Sequence, residues 1–600
     1  MSQIQELVIS PPPGVVKVDS LREIEGRWQD SSNARFVKSL PQKIGGWIKA
    51  FATATMGVPR TLMAWRDGSF NPYVAVGTYI KLYCYDTSGA QNDITPYRST
   101  GTLGANPFSV VSGSNVVTVN QTAHGLAQGD LITLAGSSAI GGITPNVSET
   151  PVNTVIDANN YTYLFTSSAT STVNGGGGSA ITFNYEVPVG VEVGTYGYGW
   201  GVSGWGIGTW GTARSSSTIQ IEPRIWSLDH FGSLLIAAYN GGSVYSFDPT
   251  ASQPWGRAAQ VDSSAPTNVR SVFVTNERFI FALCAGLQVA WPSQGTLNVW
   301  TPATGNTANV RTLTEGTKLV AGRVLADFAA LVWTDAALYL FQYNGSTFVY
   351  SSSMVAKDCG LISPNGAITV AGIAYWIGQN NLWTYNGSVT PMANVEDIRK
   401  WIFDQIDINM GYQCNAQYSP TYNEVWFFFT GAGYTSPNFG VIYSIDQQCW
   451  APLYFGRSGG THFTQGDTRP YMGDPTLNVI YQHENTFDAN GSPLAYSFSL
   501  APYSLSKGGQ YNMLVEFIVN DFKDQVGNVS QTTYSYDRLD ETAILDTDTT
   551  VISPTNSEPT EPRVSGRYVA VTLSGGMSLG DYARLGEPVA FVRRIGDRVG

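Results

Sequence analysis

Charged residues are scarce in this sequence. They make up 13% of its 600 residues, about half the usual share for a soluble globular protein, whereas aromatic residues make up 12%. Low charge combined with many aromatic rings excludes an intrinsically disordered chain. A protein of this size with so few charges either buries much of its surface against other subunits or is a monomer whose surface is rich in Ser, Thr and Asn. Composition leaves both alternatives open.

Basic residues are fewer than acidic ones. The 33 Lys and Arg residues against 45 Asp and Glu residues give a formal net charge of −12, whereas binding to duplex DNA depends on cations that neutralise phosphates. This balance argues against nucleic-acid binding as the main function, but it is compatible with DNA that passes the protein without being bound. No apolar run approaches the roughly 18 residues of a membrane helix. The first residues lack the basic and apolar regions of a signal peptide, so neither a membrane anchor nor a secretion signal is expected.

Cysteine and histidine are too few and too scattered for a metal site or a disulfide framework. The five cysteines include no CxxC pair, and they are predicted to be reduced core residues of a protein made in a cytosol. None of the four histidines lies four residues from another with a Glu between them, so a catalytic zinc site is not supported. We therefore predict no metal and no cofactor.

Two short motifs match enzyme signatures without their structural context. Residues 456–460 match G-x-S-x-G, and His462 follows Ser458 by four residues, but no helical pattern follows as a nucleophile elbow requires. The tract at 194–211 matches G-x-G-x-x-G twice without opening a helix. Carboxylates such as Asp229, Asp335 and Glu424 could face the centre of a glycosidase-like propeller, but the sialidase repeat is absent. We predict that these carboxylates lie on solvated turns and that the protein is not an enzyme.

A hairpin motif recurs along most of the chain. Each copy has an apolar strand, a turn and a second strand that usually ends in an aromatic residue followed by Asp or Asn. From the second copy on, the spacing is roughly 45 to 50 residues, which is typical of four-stranded propeller blades that stack around an axis. A β-sandwich would show closer spacing. The sequence therefore predicts a mainly β protein with a six- or seven-bladed β-propeller. The copies span residues 73–86, 234–248, 279–291, 330–345, 373–387 and 425–446, with a weaker copy at 471–481.

Composition shifts divide the chain into five segments. One amphipathic helix is predicted between Asn394 and Asp407, with Val395, Ile398, Trp401, Ile402 and Ile406 on one side. The segments are an N-terminal extended arm at 1–55, a first propeller segment at 56–105, an inserted small β module at 106–185, the remaining blades at 186–495 with a Gly/aromatic tract at 194–211, and a C-terminal β domain at 496–600.

Aromatic and arginine residues near both ends of the chain are candidate anchors for contacts between subunits. Large aromatic surface beside charged groups is typical of interface anchors. The alternative is that the aromatic residues cap the protein's own propeller, and the sequence leaves both alternatives open. The candidates are Arg27, Trp28, Arg35, Phe36, Trp47, Arg593 and Arg594.

Several of these segments resemble the tail nozzle proteins of short-tailed (podovirus) phages. The resemblance covers most of the chain outside 106–185, and that insert resembles a small β module found among phage tail proteins. The resembling segments are PPPGVVK at 11–17, residues 26–36, KIGGW at 43–47, IWSLDHFG at 225–232, residues 241–245, the Gly/aromatic tract and residues 566–594.

The resemblance implies a structural component of the virion, assembled in the host cytoplasm. It implies a hexameric ring at the distal end of the tail, below a ring of adaptor proteins, with fibres, spikes or a needle attached. Double-stranded genomic DNA would leave through the lumen without specific binding. Six copies would carry a formal charge of about −72, which repels DNA. The alternatives are a host-receptor or carbohydrate-binding propeller and, less favoured, a polysaccharide depolymerase.

Overall fold

The computed structural model describes residues 4–17, 20–196, 220–345, 349–505, 509–539, 544–556 and 558–597. Strands account for 48% of the structure and helices for 3%. The predicted mainly β class is therefore confirmed.

Seven antiparallel sheets of four strands form the largest part of the described chain, and we number them sheets 1 to 7 in chain order. Six of them are built from consecutive strands, whereas sheet 7 takes its fourth strand from the beginning of the chain. The strands are Thr61–Arg66, Pro72–Gly77, Leu82–Tyr85 and Gln91–Asp93 in sheet 1; Trp226–Phe231, Leu234–Tyr239, Val244–Phe247 and Ala259–Gln260 in sheet 2; Val269–Val274, Ile280–Cys284, Gln288–Trp291 and Asn309–Thr312 in sheet 3; Leu319–Ala326, Ala329–Thr334, Ala337–Tyr343 and Tyr350–Lys357 in sheet 4; Ala367–Val370, Ile373–Ile377, Leu382–Tyr385 and Val389–Pro391 in sheet 5; Asn415–Ser419, Glu424–Phe429, Phe439–Ser444 and Cys449–Leu453 in sheet 6; and Gly460–Thr461, Tyr471–Gly473, Ile480–His483 and Trp47–Lys49 in sheet 7.

The seven predicted hairpins are the second and third strands of these seven sheets. These strands are apolar on both faces because neighbouring sheets pack face to face, and a separate hydrophobic cluster fills the space between each neighbouring pair from sheet 1 to sheet 6 and between sheets 7 and 1. The first strand of each sheet contacts the first strand of the next, and that of sheet 7 contacts that of sheet 1. The seven first strands therefore form a closed ring.

The inserted module is a curled eight-stranded antiparallel sheet with its own core. It begins earlier than predicted, because the strand Tyr97–Thr102 pairs with the module's last strand, as in the pair Ser99 and Tyr185. The module therefore runs from 97 to 186 instead of 106 to 185. Its strands are Tyr97–Thr102, Phe108–Val110, Val116–Asn120, Leu131–Ala135, Val147–Asp157, Asn160–Leu164, Val173–Gly176 and Thr182–Glu186.

Both ends of the chain build one composite β domain of three antiparallel sheets. The extended arm predicted for 1–55 is therefore corrected, because this segment supplies four strands to the composite domain and the fourth strand of sheet 7. The predicted start of the C-terminal domain at 496 coincides with a strand. The three sheets are Ile4–Val8, Val589–Asp597, Tyr511–Val519 and Ser565–Gly566; Trp28–Ser32, Tyr496–Leu500, Tyr568–Gly575, Val529–Tyr536 and Ile544–Ile552; and Ala34–Val37, Leu40–Lys43, Tyr582–Leu585 and Phe522–Val526.

The predicted amphipathic helix is present as Glu396–Gln405. Ile398 and Ile402 lie four residues apart, so they share one face of the helix, and both are buried against sheet 6. Short 3₁₀ turns occur at Ala285–Leu287 and Ile408–Gln413. The strands Thr195–Tyr196 and Gln220–Ile221 pair with each other.

Candidate functional site

The first strands of the seven sheets enclose a cavity of about 660 Å³. One end of it is crossed by side chains. Asn365, just before sheet 5, donates from Nδ2 to the carbonyl of Arg60, just before sheet 1, over 2.9 Å. Arg60 in turn donates from Nη1 to the carbonyl of Glu192 over 2.6 Å. Because sheets 1 and 5 are not neighbours in the ring, the contact between Asn365 and Arg60 spans its centre.

Side chains on the wall of the cavity join neighbouring first strands. Ser227 of sheet 2 donates to the carbonyl of Val272 in sheet 3 over 2.8 Å and accepts from its N–H over 3.0 Å. Arg323 of sheet 4 donates from Nε to the carbonyl of Ala367 in sheet 5 over 3.2 Å. Thr461 of sheet 7 accepts from the N–H of Ala64 in sheet 1 over 2.9 Å. These polar groups are thus used to hold the ring together.

The three carboxylates considered for a glycosidase-like centre are not brought together as a catalytic pair. Asp229 lines the cavity, where burial raises its pKa, and its Oδ2 accepts from the N–H of Val274 over 2.8 Å. Asp335 lies in a turn and accepts from the N–H of Thr317 over 2.8 Å. Glu424 is 1% exposed, so the prediction that it lies on a solvated turn is wrong.

His462 is a titratable residue on the cavity wall. It is half-buried, and its ring packs edge-on against Tyr418 at 5.5 Å between centroids. Burial lowers the pKa of its imidazole, so the ring is neutral at pH 7.

The cavity is too narrow for duplex DNA. A six-residue strand spans about 20 Å, so a cavity of about 660 Å³ over that length is roughly 6 to 7 Å wide. The major groove of B-DNA alone is about 12 Å wide. Duplex DNA therefore cannot pass along this cavity.

A buried group of charges, which we call the charged junction, links the composite domain to the ring. It consists of Arg35, Glu424 and Glu484, with the guanidinium of Arg35 3.7 Å above the ring of Tyr422. Arg35 Nε lies 3.2 Å from Glu424 Oε1, and its Nη1 and Nη2 donate to the two carboxylate oxygens of Glu484 over 3.0 and 2.5 Å. The Arg35 and Glu424 side chains are 0% and 1% exposed.

The charged junction connects three sheets. Arg35 is on the strand Ala34–Val37 of the composite domain, Glu424 begins the second strand of sheet 6, and Glu484 follows the third strand of sheet 7. Burial raises the pKa of Glu424 to about 7, although Arg35 opposes the shift. Burial alone would lower the pKa of Arg35, but Glu424 and Glu484 raise it, so the guanidinium remains charged.

Four of the seven candidate anchors are buried within the chain itself. Trp28, Arg35, Phe36 and Trp47 are 2%, 0%, 3% and 7% exposed, and they pack against the chain's own sheets. Trp47, for example, lies 5.0 Å from His483 between ring centroids. The described fold therefore leaves these four no surface for a partner, and it agrees with the alternative in which they cap the protein's own sheets.

The other three candidate anchors lie at the surface. Arg27 is 33% exposed and pairs with Asp397 at 3.2 Å. Arg593 is 44% exposed and pairs with Glu516 at 2.6 Å. Arg594 is exposed, with its guanidinium 3.7 Å from the ring centre of Tyr511. A role for these three in subunit contacts stays a prediction.

A second charged cluster fixes the inserted module to the ring. The carboxylates of Asp93, Glu149 and Glu186 lie within 4.8 Å of one another, as metal ligands do. Lys81 Nζ reaches all three at 2.6, 3.0 and 2.6 Å, and Arg257 also pairs with each of them. Two protein cations thus occupy the position that a metal ion would take. Sequence analysis missed this cluster because its members are up to 176 residues apart.

The G-x-S-x-G match does not form a nucleophile elbow. Ser458 is buried and donates from Oγ to the carbonyls of Pro59 and Gly473 over 2.8 and 3.2 Å. The strand Gly460–Thr461 follows it, where an elbow requires a helix. Most of the Gly/aromatic tract, including both G-x-G-x-x-G matches, lies outside the described residues.

Comparisons with known proteins assign no family. No protein-family model matches the chain, and no curated protein matches it. The crystal structure of the computationally designed Ika8 protein is similar over 73% of this chain and 99% of its own, with 8% sequence identity and a TM-score of 0.33. A TM-score this low carries no argument. Among the described residues, no helix is long and apolar enough to cross a membrane.

Proposed function

We propose that this chain is a structural, non-enzymatic subunit built on a seven-bladed β-propeller, and that it forms the nozzle ring of a short-tailed phage tail. The observation that carries the proposal is the closed order of the seven sheets, with sheet 7 completed by Trp47–Lys49. Four-stranded sheets stacked radially around an axis are the architecture of a propeller. A ring closed by a strand from the other end of the chain cannot open at sheet 7 without breaking a sheet, which suits a scaffold under load.

The composite domain supports the link to the nozzle family. The segments at 26–36, 43–47 and 566–594, which resemble nozzle proteins, lie within or directly beside this domain although they are far apart in sequence. Lys43 donates from Nζ to the carbonyl of Asp581 over 2.6 Å and so joins two of them. The charged junction fixes this domain to sheets 6 and 7. Contact between the resembling segments supports the proposed family, because related proteins would need to keep such segments together.

In the proposed ring, DNA passes between subunits and not along a propeller axis. The axial cavity is too narrow and is crossed by Asn365 and Arg60 at one end. We propose a hexamer in the virion that contacts a ring of adaptor proteins and carries fibres, spikes or a needle. The net charge of −12 on each subunit suits a lumen that does not retain DNA.

Electron microscopy of the purified full-length chain tests this proposal. We expect negative-stain class averages to show rings or short tubes with a central hole wider than a DNA duplex, and light scattering to give the mass of six chains. A protein that stays monomeric at the highest concentration reached, both alone and with the adaptor protein of the same phage, would contradict the proposal.

The central cavity favours one alternative, a propeller that binds a carbohydrate of the host surface. Phe70 and His230, which line the cavity near the ends of the first strands of sheets 1 and 2, are exposed, and the neutral His462 lies on its wall. Binding of a glycan by the monomer, lost in His462→Ala but kept in a Ser233→Ala control, would favour this function. Release of sugar fragments by the parent chain would favour a depolymerase instead.

A further inference from the structure

One sheet of the composite domain exposes an apolar face. In the sheet formed by Ile4–Val8, Val589–Asp597 and Tyr511–Val519, alternate residues pack inward, such as Ala590 and Val592. The residues between them point away from the core, and we call their surface the outer face. Ile4, Val8, Val519 and Ile595 on this face are 40% to 55% exposed. The apolar members of the outer face are Ile4, Val8, Leu514, Phe517, Val519, Val589, Phe591 and Ile595.

The neighbouring five-stranded sheet shows what a solvent-facing surface of the same domain is made of. On its inner strands hydroxyl groups pair on the outward side: Thr532 contacts Thr549 of the edge strand through their Oγ1 atoms at 3.2 Å, and Thr572 donates to Ser499 over 3.1 Å. Its exposed apolar residues, such as Leu545 and Val551, are confined to the edge strand Ile544–Ile552. Antiparallel sheets that face water normally alternate in this way between apolar and polar residues. The outer face departs from that pattern, which indicates a surface that is covered in the functional protein.

The same domain carries a small apolar projection. Met577 and Leu579, which we call the apolar knob, are 78% and 60% exposed on the loop between Tyr568–Gly575 and Tyr582–Leu585. The loop is held at its base, where the N–H of Ser578 donates to Asp581 Oδ2 over 2.8 Å and the N–H of Gly580 donates to Asp488 Oδ1 over 2.7 Å. A fixed loop with two apolar side chains at its tip is suited to insertion into an apolar surface.

We propose that the apolar knob of one copy docks on the outer face of a second copy of this chain. The inference rests on the proposed ring, because a head-to-tail contact uses one knob and one face per subunit, and closing the ring covers all of them. A two-fold contact between outer faces would leave Met577 and Leu579 exposed. The one charged pair at the centre of the face, Arg593 and Glu516, is already formed at 2.6 Å. Docking therefore leaves neither of these two charges without a partner. Glu6 also lies on this face, but it is on the edge strand Ile4–Val8, where its carboxylate can stay in water beside the docked knob.

The size of the outer face limits what this contact does. Three strands about 4.8 Å apart, each with about five residues, cover roughly 240 Å². A standard interface buries about 800 Å² on each partner. The knob contact therefore supplies part of the interface and sets its direction, while other surfaces of the ring supply the rest.

Two double variants and a matched control test the contact in the full-length chain. The knob variant is Met577→Asp with Leu579→Asp, and the face variant is Val8→Asp with Val519→Asp. Each places carboxylates in an apolar contact, and we expect sedimentation analysis to show association at least about tenfold weaker than in the parent chain. The control is Leu545→Asp, which alters an equally exposed apolar residue (62%) on a different sheet. Circular dichroism and thermal melting verify folding.

Mixing the two variants distinguishes a head-to-tail contact from other arrangements. The mixture retains one intact contact, between the knob of the face variant and the face of the knob variant. We expect native mass spectrometry to show more mixed dimers than dimers of either variant alone, and no rings. The absence of mixed dimers, unchanged association of either variant, or a parent chain that never associates would overturn the inference.

The outcomes also separate this inference from the proposed function. Rings with a central hole that persist in both variants would leave the nozzle proposal standing and reject the knob contact. Assembly that depends on the knob but gives open filaments would support the contact and reject the nozzle ring.

Discussion

Replacement of Arg35 by Met should severely weaken the attachment of the composite domain to the ring. The substitution keeps much of the side chain's volume but removes its charge, which leaves Glu424 and Glu484 buried and facing each other without a cation. Their side chains are only 1% and 3% exposed, so water cannot replace the guanidinium. We expect the cooperative unfolding of the composite domain with sheets 6 and 7 to shift to lower temperature.

The size of the effect follows from the burial. Removing one partner of a buried ion pair costs about 3 to 5 kcal/mol, and here two carboxylates lose the same partner. For a unit of 150 to 250 residues this corresponds to a decrease in melting temperature on the order of 10 °C. Differential scanning calorimetry measures the transition, and hydrogen exchange identifies which strands lose protection.

The stability lost in Arg35→Met should increase with pH. In the parent chain, burial raises the pKa of Glu424 to about 7, above the ordinary value of 4.5 that applies in the unfolded chain. Between these values the folded state holds a proton that the unfolded state has lost, so stability falls as pH rises through that window. Without Arg35, the group that lowers this pKa is gone and the window extends upward. The deficit of Arg35→Met should therefore be small near pH 4.5 and largest near pH 8.

Two further variants test this reasoning. The triple variant Arg35→Met, Glu424→Gln, Glu484→Gln removes all three charges and should recover most of the lost stability. Arg27→Met serves as the control, because Arg27 and its partner Asp397 are 33% and 27% exposed and their pair contributes little. A deficit in Arg35→Met that is below about 1 kcal/mol, or that is the same at both ends of the pH range, would refute the argument.

Three other substitutions test contacts elsewhere in the fold: between the inserted module and the ring, within sheet 7, and between sheets 3 and 4. Lys81→Met leaves the buried Glu186 with the weaker partner Arg257 at 3.4 Å, and should cost about 3 kcal/mol, measured as faster proteolysis at the junction of the inserted module. Trp47→Ala removes a ring that packs on His483 and should cost about 3 to 5 kcal/mol, with loss of hydrogen-exchange protection in sheet 7. Gly322→Ala places a methyl group against the Phe273 ring between sheets 3 and 4 and should cost about 1 to 3 kcal/mol in thermal denaturation.

Matched controls exist for two of these substitutions. Lys357→Met removes a lysine whose pair with Glu315 is exposed, and it should leave proteolysis unchanged. Gly256→Ala adds a methyl group with no atom within 4 Å, and should leave the melting temperature unchanged. If the controls lost as much stability as Lys81→Met and Gly322→Ala, the assigned contacts would not be the cause. Trp47→Ala is contradicted if the pairing between Ile480–His483 and the strand Trp47–Lys49 keeps its protection.

The second and third strands of the seven sheets could be predicted because their burial on both faces gives runs of apolar residues in the local sequence. Strands such as Leu234–Tyr239 are covered on both faces, so nearly every residue is apolar and the hairpin repeats visibly. The fourth strands have no such signature. Asn309–Thr312 is largely exposed, and it forms because its neighbour Gln288–Trp291 offers a free edge.

Long-range pairing was not predictable from the sequence. The strand Trp47–Lys49 pairs with Ile480–His483 across more than 430 residues, and nothing near position 47 indicates which edge it meets. For the same reason, the sequence did not predict that Arg35 pairs with Glu424 and Glu484. The sequence marks Arg35 as unusual among aromatic residues, but whether its carboxylate partners belong to this chain or to another depends on the closed ring.

The placement of the few cations connects the composition to the proposed function. Arg35, Lys43, Arg60, Lys81 and Arg457 are all buried. Lys43 donates to the carbonyls of Phe487 and Asp581 over 2.7 and 2.6 Å, and burial lowers its pKa to about 8. Cations that serve inside the fold cannot neutralise phosphates at the surface. Carboxylates such as Glu186, Glu424 and Glu484 are buried as well, so the two signs nearly cancel inside the fold. The exposed surface therefore keeps close to the net charge of −12, which suits the proposed passage for DNA.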